Sequence, residues 1–172
     1  MVHAILRSDL PPAEKELNRI HDDVSTTSGA AFETTAYTLR VLLYHIYHDV
    51  NVLRRLRTEL RQVSYESRTK FSLLEQLPYL TAVLMEGLRL SPGIASRMAR
   101  IAPDRDLVYK EWVIPKGTPV GMTTLLMHLD GGIYPNPNQF DPNRWTALDT
   151  RKRYEKIYAP FSRGTRSCLG MQ

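Results

Sequence analysis

One sulfur constrains this chain more than any other feature. Cys168 is the sole cysteine among 172 residues, and it sits in Phe161-Ser162-Arg163-Gly164-Thr165-Arg166-Ser167-Cys168-Leu169-Gly170. A lone thiol makes neither an internal disulfide nor a multi-cysteine zinc site. It suits a role that needs one sulfur held rigidly, such as the single axial thiolate of a haem iron. The surrounding frame supplies what such a thiolate requires. Gly164 and Gly170 let backbone come close and allow positive φ. Exposed N–H groups can then point at the sulfur and stabilise its negative charge. The stretch after Cys168 can open a helix, whose N-terminal dipole lowers a thiol's pKa. Arg166 is placed to meet an anionic group such as a haem propionate. The competing reading is a glycine-rich turn around an inert, buried cysteine.

The length allows one sizeable core and predicts one domain. Hydrophobic residues make up 42% and charged residues 24%, which is ordinary for a globular chain. A net charge of +5 raises nucleic acid, an anionic membrane surface or an acidic protein as partners. The basic residues are dispersed, however, and the clusters Arg54-Arg55-Leu56-Arg57 and Arg151-Lys152-Arg153 have no interleaved aromatics. That argues against a nucleic-acid surface. No apolar run approaches the length of a membrane span, and the N-terminal residues lack a signal-peptide pattern.

Along the chain, apolar spacing predicts a long helix from Ala13 to about Tyr47, carrying Leu17, Ile20, Val24, Leu39, Leu42 and Ile46. The small and hydroxylated residues Ser25 to Gly29 and Ala30 to Thr35 are expected to weaken it. Further helices are predicted over Asn51–Val63, Phe71–Gln76 and Pro78–Leu90, the last stopped by Ser91-Pro92-Gly93. A hairpin is expected around Lys110-Glu111, then a strand over Thr118–Met122 and a short helix within Thr123–Asp130. From Gly131 to Pro160, prolines and asparagines predict a long, mostly irregular segment held around the cysteine loop.

The cysteine frame resembles the haem-binding signature of the cytochrome P450 family. Four further motifs follow that family's order. Ala30-Ala31-Phe32-Glu33-Thr34-Thr35 is similar to its oxygen-activation stretch, with Ala31 standing where a glycine is usual, so that the groove there is expected to be tighter. Glu86-Gly87-Leu88-Arg89 is similar to its Glu-x-x-Arg helix, and Phe140-Asp141-Pro142-Asn143-Arg144-Trp145 to the segment carrying the partner arginine. Ser96-Arg97-Met98-Ala99-Arg100 resembles the strand over the haem edge. Gly131 and Asn143 depart from the usual proline and glutamate, which is expected to soften the loop.

The resemblance implies a mainly α fold with small β-sheets, cytochrome P450-like and partial, with residues 1–172 forming part of one P450 domain. It implies haem b held through Cys168, with Phe161, Gly164, Gly170 and Ala30 around it and Arg100 and Arg166 on the propionates. Arg97 is the other candidate for a propionate. Glu33 and Thr34 would manage protons during oxygen activation, aided by a local opening of the helix. Glu86, Arg89 and Arg144 would form a structural network. Ile94, Ala95 and Ser96 would face a small, lipophilic organic substrate. Electrons would come from NADPH through a reductase, an acidic partner met by basic residues such as Arg163. The closest resemblance is to fungal monooxygenases of secondary metabolism. A full-length parent would sit at the endoplasmic reticulum membrane, facing the cytosol and anchored by N-terminal residues that this chain lacks. The segment itself is expected to have no anchor and to be truncated at both ends. The alternative is a non-catalytic fragment or relic that does not hold haem. His45 and His48 are expected at the surface or in an interface, and no His, Asp and Glu set has metal-ligand spacing.

Overall fold

The computed structural model describes residues 1–67 and 70–171, except for the side chain of Tyr65. Its helices are α1 (Val2–Arg7), α2 (Leu17–His48), α3 (Val50–Arg61), α4 (Phe71–Leu74), α5 (Pro78–Leu90), α6 (Thr124–His128) and α7 (Leu148–Glu155). Two small antiparallel sheets follow α5. In one, β1 (Met98–Arg100) pairs with β4 (Val120–Met122), Ala99 lying opposite Gly121. In the other, β2 (Leu107–Tyr109) and β3 (Trp112–Ile114) form the hairpin, with Lys110 at a φ of 53° in its turn. The architecture is mainly helical with small sheets, as the sequence predicts.

Helix α5 is the hub. Its first turn has orphan backbone donors, and the Glu59 carboxylate of α3 accepts two of them, from Tyr79 and Leu80, each at 2.8 Å. Pro78 occupies the start of the helix, where its missing N–H costs nothing. At the other end the Ser91 hydroxyl donates to the Gly87 carbonyl at 2.6 Å. Helix α3 begins on Asp49, whose side chain accepts from Asn51 and Val52. One apolar core joins α2, α3 and α5 through Leu42, Val52, Leu56, Tyr79 and Val83. In a second, Ala82 of α5 meets Tyr134, Trp145 and Tyr154.

Two expectations are corrected. Helix α2 runs without a break from Leu17 to His48, so it is not opened at Ser25 to Thr35. Thr27 and Thr34 donate back to the carbonyls of Asp23 and Ala30, at 2.7 and 2.8 Å, within the continuing helix. The helix begins at Leu17 because Pro12–Lys15 forms a separate 3₁₀ turn ending on extended Glu16. The segment from 131 to 160 is mostly irregular, as expected, but it is not without regular structure. It contains a 3₁₀ turn at Pro142–Trp145, started by the Asp141 side chain, and the helix α7. Asn143 accepts from Arg55 Nη1 at 2.6 Å, and Asp130 accepts from the Gly132 amide at 2.8 Å, so both atypical stretches are tied down.

Candidate functional site: a thiol loop braced by a buried carboxylate

The cysteine loop is a short, closed excursion after α7. The Cys168 amide donates to the Phe161 carbonyl at 2.9 Å, and the Ser167 amide to the Gly164 carbonyl at 3.0 Å. Closing the loop needs left-handed backbone at Ser162 (φ 63°) and Gly164 (φ 80°). At Gly164 an L side chain would be strained, so glycine belongs there. Gly170 lies beside the sulfur: a Cβ on it would stand 3.7 Å from Cys168 Sγ, an ordinary contact. Cys168 is exposed rather than buried. Arg163 ties the loop to the end of α7 by donating to the carbonyls of Tyr158, at 3.0 Å, and Glu155.

Behind the loop stands a buried polar network centred on Glu86, which is fully inaccessible. Its carboxylate accepts from Arg89 Nε and Nη2 (both 2.9 Å), Arg144 Nε (3.1 Å), Trp145 Nε1 (2.9 Å) and the Asp141 amide (3.0 Å). Arg89 spends its remaining donors on the carbonyls of His128, Pro137 and Gln139. All five of its N–H groups are thereby satisfied, the condition for burying a guanidinium. Arg144 adds a bond to the Asn136 carbonyl at 2.9 Å. The sequence reading names three members of this network. It misses Trp145 and the ring of carbonyls, although Trp145 directly follows Arg144 and a buried indole N–H requires an acceptor.

Two contacts carry this network toward the loop. Tyr158 Oη donates to the Met85 carbonyl at 2.9 Å, and the Ala159 amide donates to His128 Nε2 at 3.2 Å. Burial raises the Tyr158 phenol far above its usual range and lifts that of Tyr134 to about 12. It also pushes the His128 imidazole down to about 4, with the Arg89 charge adding to the effect. In sequence His128 stands apart from the other histidines. Its isolation in sequence gives no hint of these contacts.

The remaining candidates lie at the surface. On α2, Thr34 is half-buried and Glu33, Ala30 and Ala31 are exposed. Gly93, just past α5, approaches Thr34 so closely that a Cβ would stand 3.1 Å from its methyl carbon. The turn after α5 thus meets the Thr34 face of α2. Arg166, Arg97 and Arg100 are exposed, and Arg100 Nη1 bonds its own strand at the Ala99 carbonyl. Ile94, Ala95 and Ser96 are exposed, and Phe161 is half-buried. His45 is half-buried and stacks on Phe140 at 4.6 Å, while His48 is exposed and stacks on Tyr44.

The donor set fits a metal porphyrin with one thiolate. It offers a single, accessible thiol, glycine beside its sulfur and an amide-closed loop. Among the described residues no group of three or more His, Cys, Asp and Glu could hold a bare metal ion. A sequence profile of the family described as Cytochrome P450 matches residues 8–172. The chain belongs to the cytochrome P450 family. Among similar proteins, the fusicoccadiene C-8 hydroxylase of Phomopsis amygdali is 41% identical over 98% of this chain and 32% of its own length. The monooxygenase oblB of Emericella variicolor is 44% identical over 97% of this chain and 31% of its own. The solved structure of retinoic acid bound cyanobacterial CYP120A1 superposes with a TM-score of 0.78 at 27% identity, covering 91% of this chain and 35% of that one. This P450 chain therefore spans about a third of the length of the curated relatives it matches. Among the described residues no helix is long and apolar enough to cross a membrane.

Proposed function

We propose that this chain supplies the thiolate half of a haem-dependent monooxygenase. Haem b, bound through Cys168, would supply the chemistry that splits O₂ and places one oxygen atom in an organic substrate, using electrons from NADPH passed on by a reductase. The observation that carries the reading is the exposed thiol in a loop closed by its own amide on Phe161.

The chain's own residues divide the remaining work. Gly170 lies on the sulfur's flank, and Gly164 allows the turn that presents it. Phe161 supplies the carbonyl that fixes the Cys168 amide, and Ala30 supplies the carbonyl that accepts from Thr34. Arg100 and Arg166 are exposed cations suited to propionates. Thr34 holds a proton on Oγ1, parked on the Ala30 carbonyl, and Glu33 lies next to it in contact with solvent. The Glu33 carboxylate can accept a proton from water, and Thr34 can donate its own hydroxyl proton, on the face of α2 that meets Gly93, by letting go of the Ala30 carbonyl. Glu86, Arg89 and Arg144 keep the segment from 136 to 145 fixed behind the loop. One relative's name, a hydroxylase of fusicoccadiene, supports a small lipophilic substrate.

A second reading is that this polypeptide alone does not retain haem. The exposure of Leu17 (81%) and Phe32 (71%) on α2 favours it, since an apolar helix face open to water lacks a covering layer. Haem titration followed by reduction under carbon monoxide separates the two. A thiolate ligand gives a strongly red-shifted Soret band, and Cys168→Ala abolishes it. A histidine-type or neutral-thiol spectrum, or no uptake, overturns the catalytic reading for this chain.

A further inference from the structure

We propose that His128 is a positioning residue for Cys168: its Nε2 accepts the Ala159 amide and so fixes the segment whose Phe161 carbonyl holds the Cys168 amide.

The route is continuous in hydrogen bonds. Arg89 Nη1 donates to the His128 carbonyl at 2.7 Å, which seats the end of α6 on the Glu86 network. The imidazole of the same residue then reaches Ala159 at 3.2 Å. The Ala159 carbonyl accepts from the Ser162 amide at 3.0 Å, and the Phe161 carbonyl accepts from Cys168 at 2.9 Å. One residue therefore bonds both the buried network and the lead-in to the thiol.

The cost of placing an imidazole here argues for that purpose. His128 is fully buried, and its Nδ1 has no hydrogen-bond partner among the described residues. An imidazole whose Nε2 accepts carries its hydrogen on Nδ1, so a donor is left unpaired in the core. The Tyr134 hydroxyl is likewise without a partner among the described residues, with its ring edge-on to His128 at 6.2 Å. A phenyl ring would keep the stacking on Tyr158, now 5.5 Å between centroids, and bury no orphan. What an imidazole adds at this position is an acceptor for Ala159.

The inference takes its significance from the reading of Cys168 as an iron ligand, but its test needs no haem. Amide hydrogen exchange is followed residue by residue in the ¹⁵N-labelled chain and in two variants of nearly equal size. The side-chain oxygen of His128→Gln reaches where Nε2 was, whereas that of His128→Asn stops near Nδ1. Protection at Ala159 and Cys168 is expected to fall together, by about tenfold, in the Asn variant and to persist in the Gln variant. Equal loss in both variants, or loss at Ala159 without loss at Cys168, overturns the proposal. Should either variant fail to fold, the ring ¹⁵N resonances of unsubstituted His128 decide. A hydrogen on Nδ1 with Nε2 as acceptor supports the assignment, and the opposite tautomer overturns it. A chain that takes up no haem yet shows the Asn–Gln difference sinks the monooxygenase reading and leaves this one standing.

Discussion

Trp145 Nε1 donates to Glu86 Oε2 at 2.9 Å across 59 residues of sequence, joining the loop that follows α6 to the middle of α5. The indole also packs between Tyr154 and Tyr158, with ring centroids at 5.5 and 4.8 Å. Trp145→Phe keeps an aromatic ring and removes a donor from a buried carboxylate. A hydrogen bond to a charged group contributes about 1.5–3 kcal/mol, and a loss of that order is expected in urea unfolding.

Glu86→Gln should be worse. The amide is the same size, but two buried guanidiniums lose their counter-charge, and Arg89 has no water to turn to. Removing one partner of a buried ion pair costs about 3–5 kcal/mol. Arg19→Gln is the contrast. Its pairs with Glu14 and Asp23 lie in solvent, and its unfolding midpoint should not move.

Gly87 is where α5 touches α2. A Cβ there would stand 2.5 Å from Leu42 Cγ and closer still to Cδ2, and Leu42 is buried at 4% exposure. Gly87→Ala gains up to about 1 kcal/mol of helix propensity but overpacks the core, which costs about 1–3 kcal/mol. Net destabilisation is expected. Leu42→Ala in the same chain should relieve the clash, so the two changes together should cost less than the sum of each alone. Additive losses would show that the helices do not meet there.

How far these contacts were legible in the sequence depends on what kind of signal each leaves. The Glu86 and Arg89 spacing and the Arg144 segment are local patterns, and the structure brings all three side chains together. Pro78 and the Ser91-Pro92-Gly93 stop fix both ends of α5 locally too. Helix α2 misled because propensity penalises Ser25 to Thr35, whereas the hydroxyls of Thr27 and Thr34 are satisfied by their own helix. Helix α7 was obscured by the prolines on either side of it, though its own residues Leu148–Glu155 contain none. Contacts such as His128 with Ala159 or Asn143 with Arg55 leave no periodic trace. They depend on where the chain returns in space, and a single sequence does not encode that in any local window.

His128 gives the chain a specific acid sensitivity. Its imidazole sits at about 4 in the fold and at an ordinary 6.5 when unfolded, chiefly because burial disfavours the cation and secondly because Arg89 repels it. Between these values the unfolded chain binds the extra proton and the folded chain does not. The contribution is therefore fully present above pH 6.5 and is lost as pH falls toward 4. From pH 7 to pH 5 the change is about 2 kcal/mol. His45 shifts in the same direction, because burial and the neighbouring His48 both lower it, so the slope of the unsubstituted chain alone is not specific. The comparison that isolates His128 is urea stability against pH for the parent chain and His128→Gln. The parent should lose stability more steeply over that interval, and the two curves should run parallel above pH 7. Parallel curves throughout would mean that the buried imidazole takes up its proton as readily in the fold as outside it.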